Sequence, residues 1–127
     1  MSPGQSRRLS VIRSCYFRIP GGLLTTAAVI TETVYVLAAS PMHRRAALEW
    51  VQRARVAGLL SVEPVTDHAA LAVILDRYAE LPCDYADATL IALAENSGVA
   101  AIATIDQRDF SVYRIKGRKR FRLLIQH

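Results

Sequence analysis

The chain has 127 residues, of which 52% are hydrophobic and 21% charged, and its net charge is +5. That length suits one domain with a full core, and the composition excludes a low-complexity chain. The positive balance suits a polyanionic partner, while Cys15 and Cys83, which form no C-x-x-C pair, argue against a disulfide framework or a zinc site and fit a reducing cytoplasm.

Residues 1–19 mix Arg with Ser at no clear period and read as an irregular segment, with the folded domain over 20–127. A short strand over 10–17 is the one alternative there, and Arg13 interrupts it. Pro20-Gly21-Gly22 is a turn signal. A buried strand is expected over 23–27, then a helix over 29–39 that Ser40-Pro41 stops. The arginines before this stretch and Ala38-Ala39-Ser40 after it resemble a secretory signal. Glu32 sits inside the would-be apolar core, however, where a carboxylate costs about 2.5–3.5 kcal/mol on insertion scales. Thr25, Thr26, Thr31 and Thr33 dilute it further, so no membrane span is expected.

Ala47, Leu48, Val51 and Ala54 recur at helical spacing over 42–57, and Gly58 ends that helix. A strand over 59–65 follows, then a helix capped by Thr66 or Asp67 and reaching 80. Pro82-Cys83-Asp84 breaks the chain before a helix over 85–96, which Ser97-Gly98 stops. The apolar run 100–104 suits the centre of a parallel sheet. A basic stretch from Arg114 to Arg122 leads into a final strand over 121–125. Strands and helices alternate, so the fold class is α/β with a mostly parallel sheet. Such sheets place their ligands beyond the carboxyl ends of the strands.

Several carboxylates fall at that rim. Glu32 follows the first clear strand, Asp106 follows the later one, and Asp87 lies in the first turn of the helix beside them. Acidic clusters of this kind hold Mg²⁺ or Mn²⁺, which prefer oxygen ligands. Each acid also has a plainer explanation. Asp84 serves as a helix cap, Asp87 gains from the helix dipole, Asp106 starts a turn, and Asp109 caps a short turn running into Tyr113. Glu32 is an ordinary helical glutamate except that its surroundings are apolar. His43, His68 and His127 show no metal spacing, and no nucleophile elbow, P-loop or dinucleotide fingerprint occurs. Arg114, Lys116 and Arg118 either neutralise phosphates or form a solvated basic tail.

Three segments, ITETVYVL (30–37), DYADATLIALAE (84–95) and ATIDQRDFSVYR (103–114), closely resemble the PIN-domain toxins of VapBC type. The likeness runs in register from about Gly21 to Leu124. It implies a three-layer α/β/α fold that cuts RNA with Mg²⁺ or Mn²⁺. On this chain the family pattern places Glu32, Asp87 and Asp106 as acidic ligands, with Thr104, Asp109 and Asp84 in support. It further implies a homodimer silenced by an antitoxin whose tail enters the acidic groove.

The resemblance is incomplete at its start. The family opens with a strand ending in an aspartate, and here no aspartate precedes Asp67. The first strand and helix are therefore expected to be missing or replaced, as in a chain truncated at its N-terminus, with weakened metal affinity and cleavage. The competing expectation is a degenerate member that binds an antitoxin or RNA without cutting it. A phosphoacceptor domain is disfavoured, because the only lysines, Lys116 and Lys119, both lie in the basic stretch.

Overall fold

Pro20 and Gly21 set the first feature of the architecture. The computed structural model describes residues 16–104 and 107–124, and it begins with a hairpin of β1 (Tyr16–Ile19) and β2 (Gly22–Thr26). Ile19 pairs with Gly22, leaving a two-residue loop. Proline supplies the first central position of that turn and Gly21, at φ 84°, the positive second one. A loop this short can only reverse the chain, because a parallel connection needs a crossover of a dozen residues or more. Gly22 is required for a different reason: a Cβ there would stand 2.5 Å from the Leu59 carbonyl oxygen.

Five further strands and five helices follow among the described residues. In order they are α1 (Ala27–Val36), α2 (Pro41–Val56), β3 (Leu60–Glu63), α3 (His68–Arg77), α4 (Tyr85–Ser97), β4 (Ala101–Ala103) and α5 (Gln107–Val112). A small hairpin of β5 (Arg114–Ile115) and β6 (Lys119–Arg120) precedes β7 (Arg122–Leu124). The main sheet has the order β3-β2-β1-β4-β7. Strand β2 is parallel to β3 and β4 to β7, whereas β1 is antiparallel to both of its neighbours. The expected mostly parallel α/β sheet is thus observed, with one reversed strand at its centre.

Alternation along the strands sorts the two faces. Phe17, Leu24 and Ile102 pack with Leu71, Ile74, Leu90 and Ile91 of α3 and α4. Tyr16, Thr25 and Leu60 face Val51 and Trp50 of α2 and Ile30 of α1 around a small apolar cavity. An aromatic series runs from the central strand outward: Phe17 stacks on Phe121, Phe121 meets Phe110 edge-on, and Phe110 meets Tyr113 edge-on.

Two readings of the sequence need correcting. The last four residues of the segment read as irregular form β1, the central strand. The basic stretch from Arg114 is not a plain tail but the β5–β6 hairpin, turned by Lys116 at φ 54° and Gly117 at φ 71°. The remaining elements shift by a few residues at their ends. Of the two candidate caps for α3, Asp67 is used, accepting from Ala70 N at 3.1 Å.

Candidate functional site

Strands β2 and β4 run the same way, so their carboxyl ends open on one rim of the sheet. Thr26 closes β2 and caps α1, its Oγ1 accepting from Val29 N at 3.3 Å. The same hydroxyl meets that of Thr89 at 2.8 Å in a fully buried pair, and Thr89 Oγ1 donates to the Ala86 carbonyl at 2.7 Å. This chain of hydroxyls ties the start of α1 to the first turns of α4. Buried hydroxyls of this kind are stable only when partnered, so the two helices are held in fixed register.

Between them lies a cleft of about 160 Å³. Helix α1 lines it with Val29, Glu32, Thr33 and Val36, and the start of α4 with Asp84, Asp87 and Leu90. Thr104, just past β4, and Phe110 of α5 complete the lining. Asp84 is the N-cap of α4 and accepts from Asp87 N at 2.8 Å. Asp87 sits in the first turn, where the helix dipole favours its charge. Its Oδ2 accepts the Tyr113 hydroxyl at 3.0 Å. Glu32 is exposed at the mouth, while Thr104 is buried.

The structure therefore gathers Glu32, Asp84, Asp87 and Thr104. Asp106 lies outside the described residues. Asp109 is half-buried in the first turn of α5 and does not line the cleft. Arg114 is engaged with backbone: its Nη1 donates to the carbonyls of Ser111, Val112 and Tyr113 at 2.7, 2.9 and 2.9 Å. Lys116 and Arg118 are exposed on the hairpin, where Lys116 N donates to Glu95 Oε2 at 2.6 Å near the far end of α4.

The acids leave an electrostatic imprint on their neighbours. Burial pushes the Cys83 thiol up to about 11, and the nearby charges of Asp87, Asp84 and Asp109 push in the same direction against a hydrogen bond to Tyr113. Burial likewise holds the Tyr113 phenol well above its ordinary range, and the Asp87 charge adds to it. Tyr113 was not among the residues singled out from sequence. Its one local signal is the spacing from Phe110, which puts both rings on one face of a helical turn.

Among the described residues every polar side chain lining the cleft offers oxygen, the ligand type that hard divalent cations prefer. Among the described residues no three His, Cys, Asp or Glu side chains form a metal-binding group. No helix among them is long and apolar enough to cross a membrane. A sequence profile for the PIN domain matches residues 9–116. No curated protein matches the chain.

Proposed function

Because the chain belongs to the PIN domain family, whose fold is nuclease-like, we propose that it is a metal-dependent ribonuclease acting as the toxin of a toxin–antitoxin module. The observation that carries this reading is the convergence of Glu32, Asp84, Asp87 and Thr104 on one cleft at the carboxyl rim of the sheet. Asp87 and Asp106 would hold Mg²⁺ or Mn²⁺ directly, with Glu32 as a third ligand or as the acceptor that orients the attacking water. A bound ion of this type screens phosphate charge and lowers the pKa of a water. Thr104 adds a hydroxyl at the floor, and Asp84 and Asp109 support the acidic field. Exposed Lys116 and Arg118 neutralise the RNA backbone, and Arg114, whose guanidinium closes the end of α5, starts the hairpin that carries them. An antitoxin whose tail occupies the acidic cleft, a homodimer and a cytoplasmic setting complete the reading.

The test is cleavage of RNA by the purified protein with Mn²⁺ or Mg²⁺. Turnover that EDTA stops and that Asp87→Asn abolishes is the expected result. Cleavage indifferent to both would sink the proposal. Tight RNA or antitoxin binding with no turnover would replace it with the non-catalytic alternative.

A further inference from the structure

Asp87 is held from a direction that spacing along its own helix does not reveal. Tyr113 is fully buried, with its ring edge-on to Phe110 at 5.0 Å and against Tyr78 at 4.9 Å. Its backbone is equally fixed. The next residue, Arg114, donates its N–H to the Tyr78 hydroxyl at 2.7 Å, and that hydroxyl donates back to the Arg114 carbonyl at 3.3 Å. The Arg114 guanidinium closes the end of α5 on three carbonyls, including that of Tyr113 itself. Ring and backbone are thus both clamped, so the place of the phenol oxygen is set by packing. From there it donates to Asp87 Oδ2 at 3.0 Å.

A carboxylate in the first turn of a helix has rotamer freedom that a fixed donor removes. The donor in turn needs its acceptor, because a buried hydroxyl left unpaired costs about 1–3 kcal/mol. We propose that Tyr113 is a positioning residue that aims the Asp87 carboxylate into the cleft. It touches no substrate and acts only through Asp87. The bond also joins α4 to the segment after α5. This inference rests on the ribonuclease reading for its consequence, but not for its geometry.

The test is Tyr113→Phe, which keeps the ring and removes the hydroxyl. In metal-free protein labelled at aspartate carboxyl carbons, the Asp87 ¹³C line is expected to move while that of Asp67, the α3 cap, stays. Manganese affinity by calorimetry is expected to weaken by roughly 10–100-fold, the range for outer partners of metal ligands. Added to Asp87→Asn, the substitution should weaken it no further. A stationary Asp87 line would refute the bond and overturn the proposal. Unchanged manganese affinity in a wild type that binds the ion would also overturn it. Should Tyr113→Phe not fold, the reciprocal measurement decides: the Tyr113 Cζ line must move in Asp87→Asn, and a stationary line refutes the bond. Wild-type protein that neither binds Mn²⁺ nor cuts RNA would sink the ribonuclease reading, while the carbon lines still report on the positioning.

Discussion

Helix α4 carries carboxylates at both ends, Asp84 and Asp87 at its opening and Glu95 in its last turn. Asp87 and Glu95 are eight residues apart, or about 12 Å along the axis. At the opening the helix dipole favours negative charge, and both aspartates border a cleft. At the closing end the dipole opposes it. Glu95 is stable there because Arg77 Nη1 stands 3.2 Å from its Oε2 and Lys116 N donates to the same oxygen. That glutamate joins α3, α4 and the β5–β6 hairpin. In this helix the acids at the start are favoured by the dipole and border the cleft, whereas the acid at the end is held by Arg77 and the Lys116 N–H away from it.

The comparison is broken most severely by Asp87→Asn. We predict that any metal-dependent cleavage falls by more than the roughly 10–100-fold that outer partners of a metal ligand are worth. The urea midpoint should change little, since Asn still accepts the Tyr113 hydroxyl. A large fall in midpoint with activity retained would put Asp87 in the same structural class as Glu95. Cys83 offers a second probe of the acidic end. With its thiol pushed up to about 11, alkylation at pH 8 should run about 100-fold slower than for an ordinary thiol, because only the thiolate reacts. The rate should climb as pH approaches 11. Asp87→Asn should speed it and Glu95→Gln should not, as peptide-resolved mass spectrometry can measure separately from Cys15.

How much of this was legible in the sequence depends on whether the signal was local. Helix α4 was read within one residue, because Asp84 and Gly98 punctuate it: the first caps, the second adopts φ 79°. Glu32 stood out as a carboxylate in an apolar run, and its place on the cleft follows from the short step between β2 and α1. Strand β1 escaped because four residues carry too little alternation, with Phe17 buried and Arg18 exposed as the only clear contrast. Its reversed direction follows from the two-residue loop, not from its own side chains. The β5–β6 hairpin was hidden by charge, since Arg and Lys in strands look like a solvated tail. The Tyr113–Asp87 bond spans 26 residues, and no periodicity reports a contact at that range.

Smaller effects sharpen the same contrast from the structural end. Glu95→Ala should destabilise the fold by about 1–2 kcal/mol, given a charge-assisted bond to a backbone N–H and a half-exposed ion pair. Cleavage per folded molecule should be unchanged. A loss of activity matching that of Asp87→Asn would mean that the two ends of α4 are not functionally separate.

Asp84 stands between the two classes, since it caps α4 and also borders the cleft. Two substitutions separate those roles. Asn is as good an N-cap as Asp, so Asp84→Asn should leave the urea midpoint in place, whereas Asp84→Ala should cost about 1 kcal/mol. If Asp84 contributes charge to the site, both variants weaken Mn²⁺ binding by a similar factor. If it serves only as a cap, Asn preserves both stability and binding, and the effect of Ala on binding vanishes once the folded fraction is restored. Equal stability in all three proteins would show that the Asp87 N–H is satisfied without Asp84, and the cap would then be a contact without energetic weight.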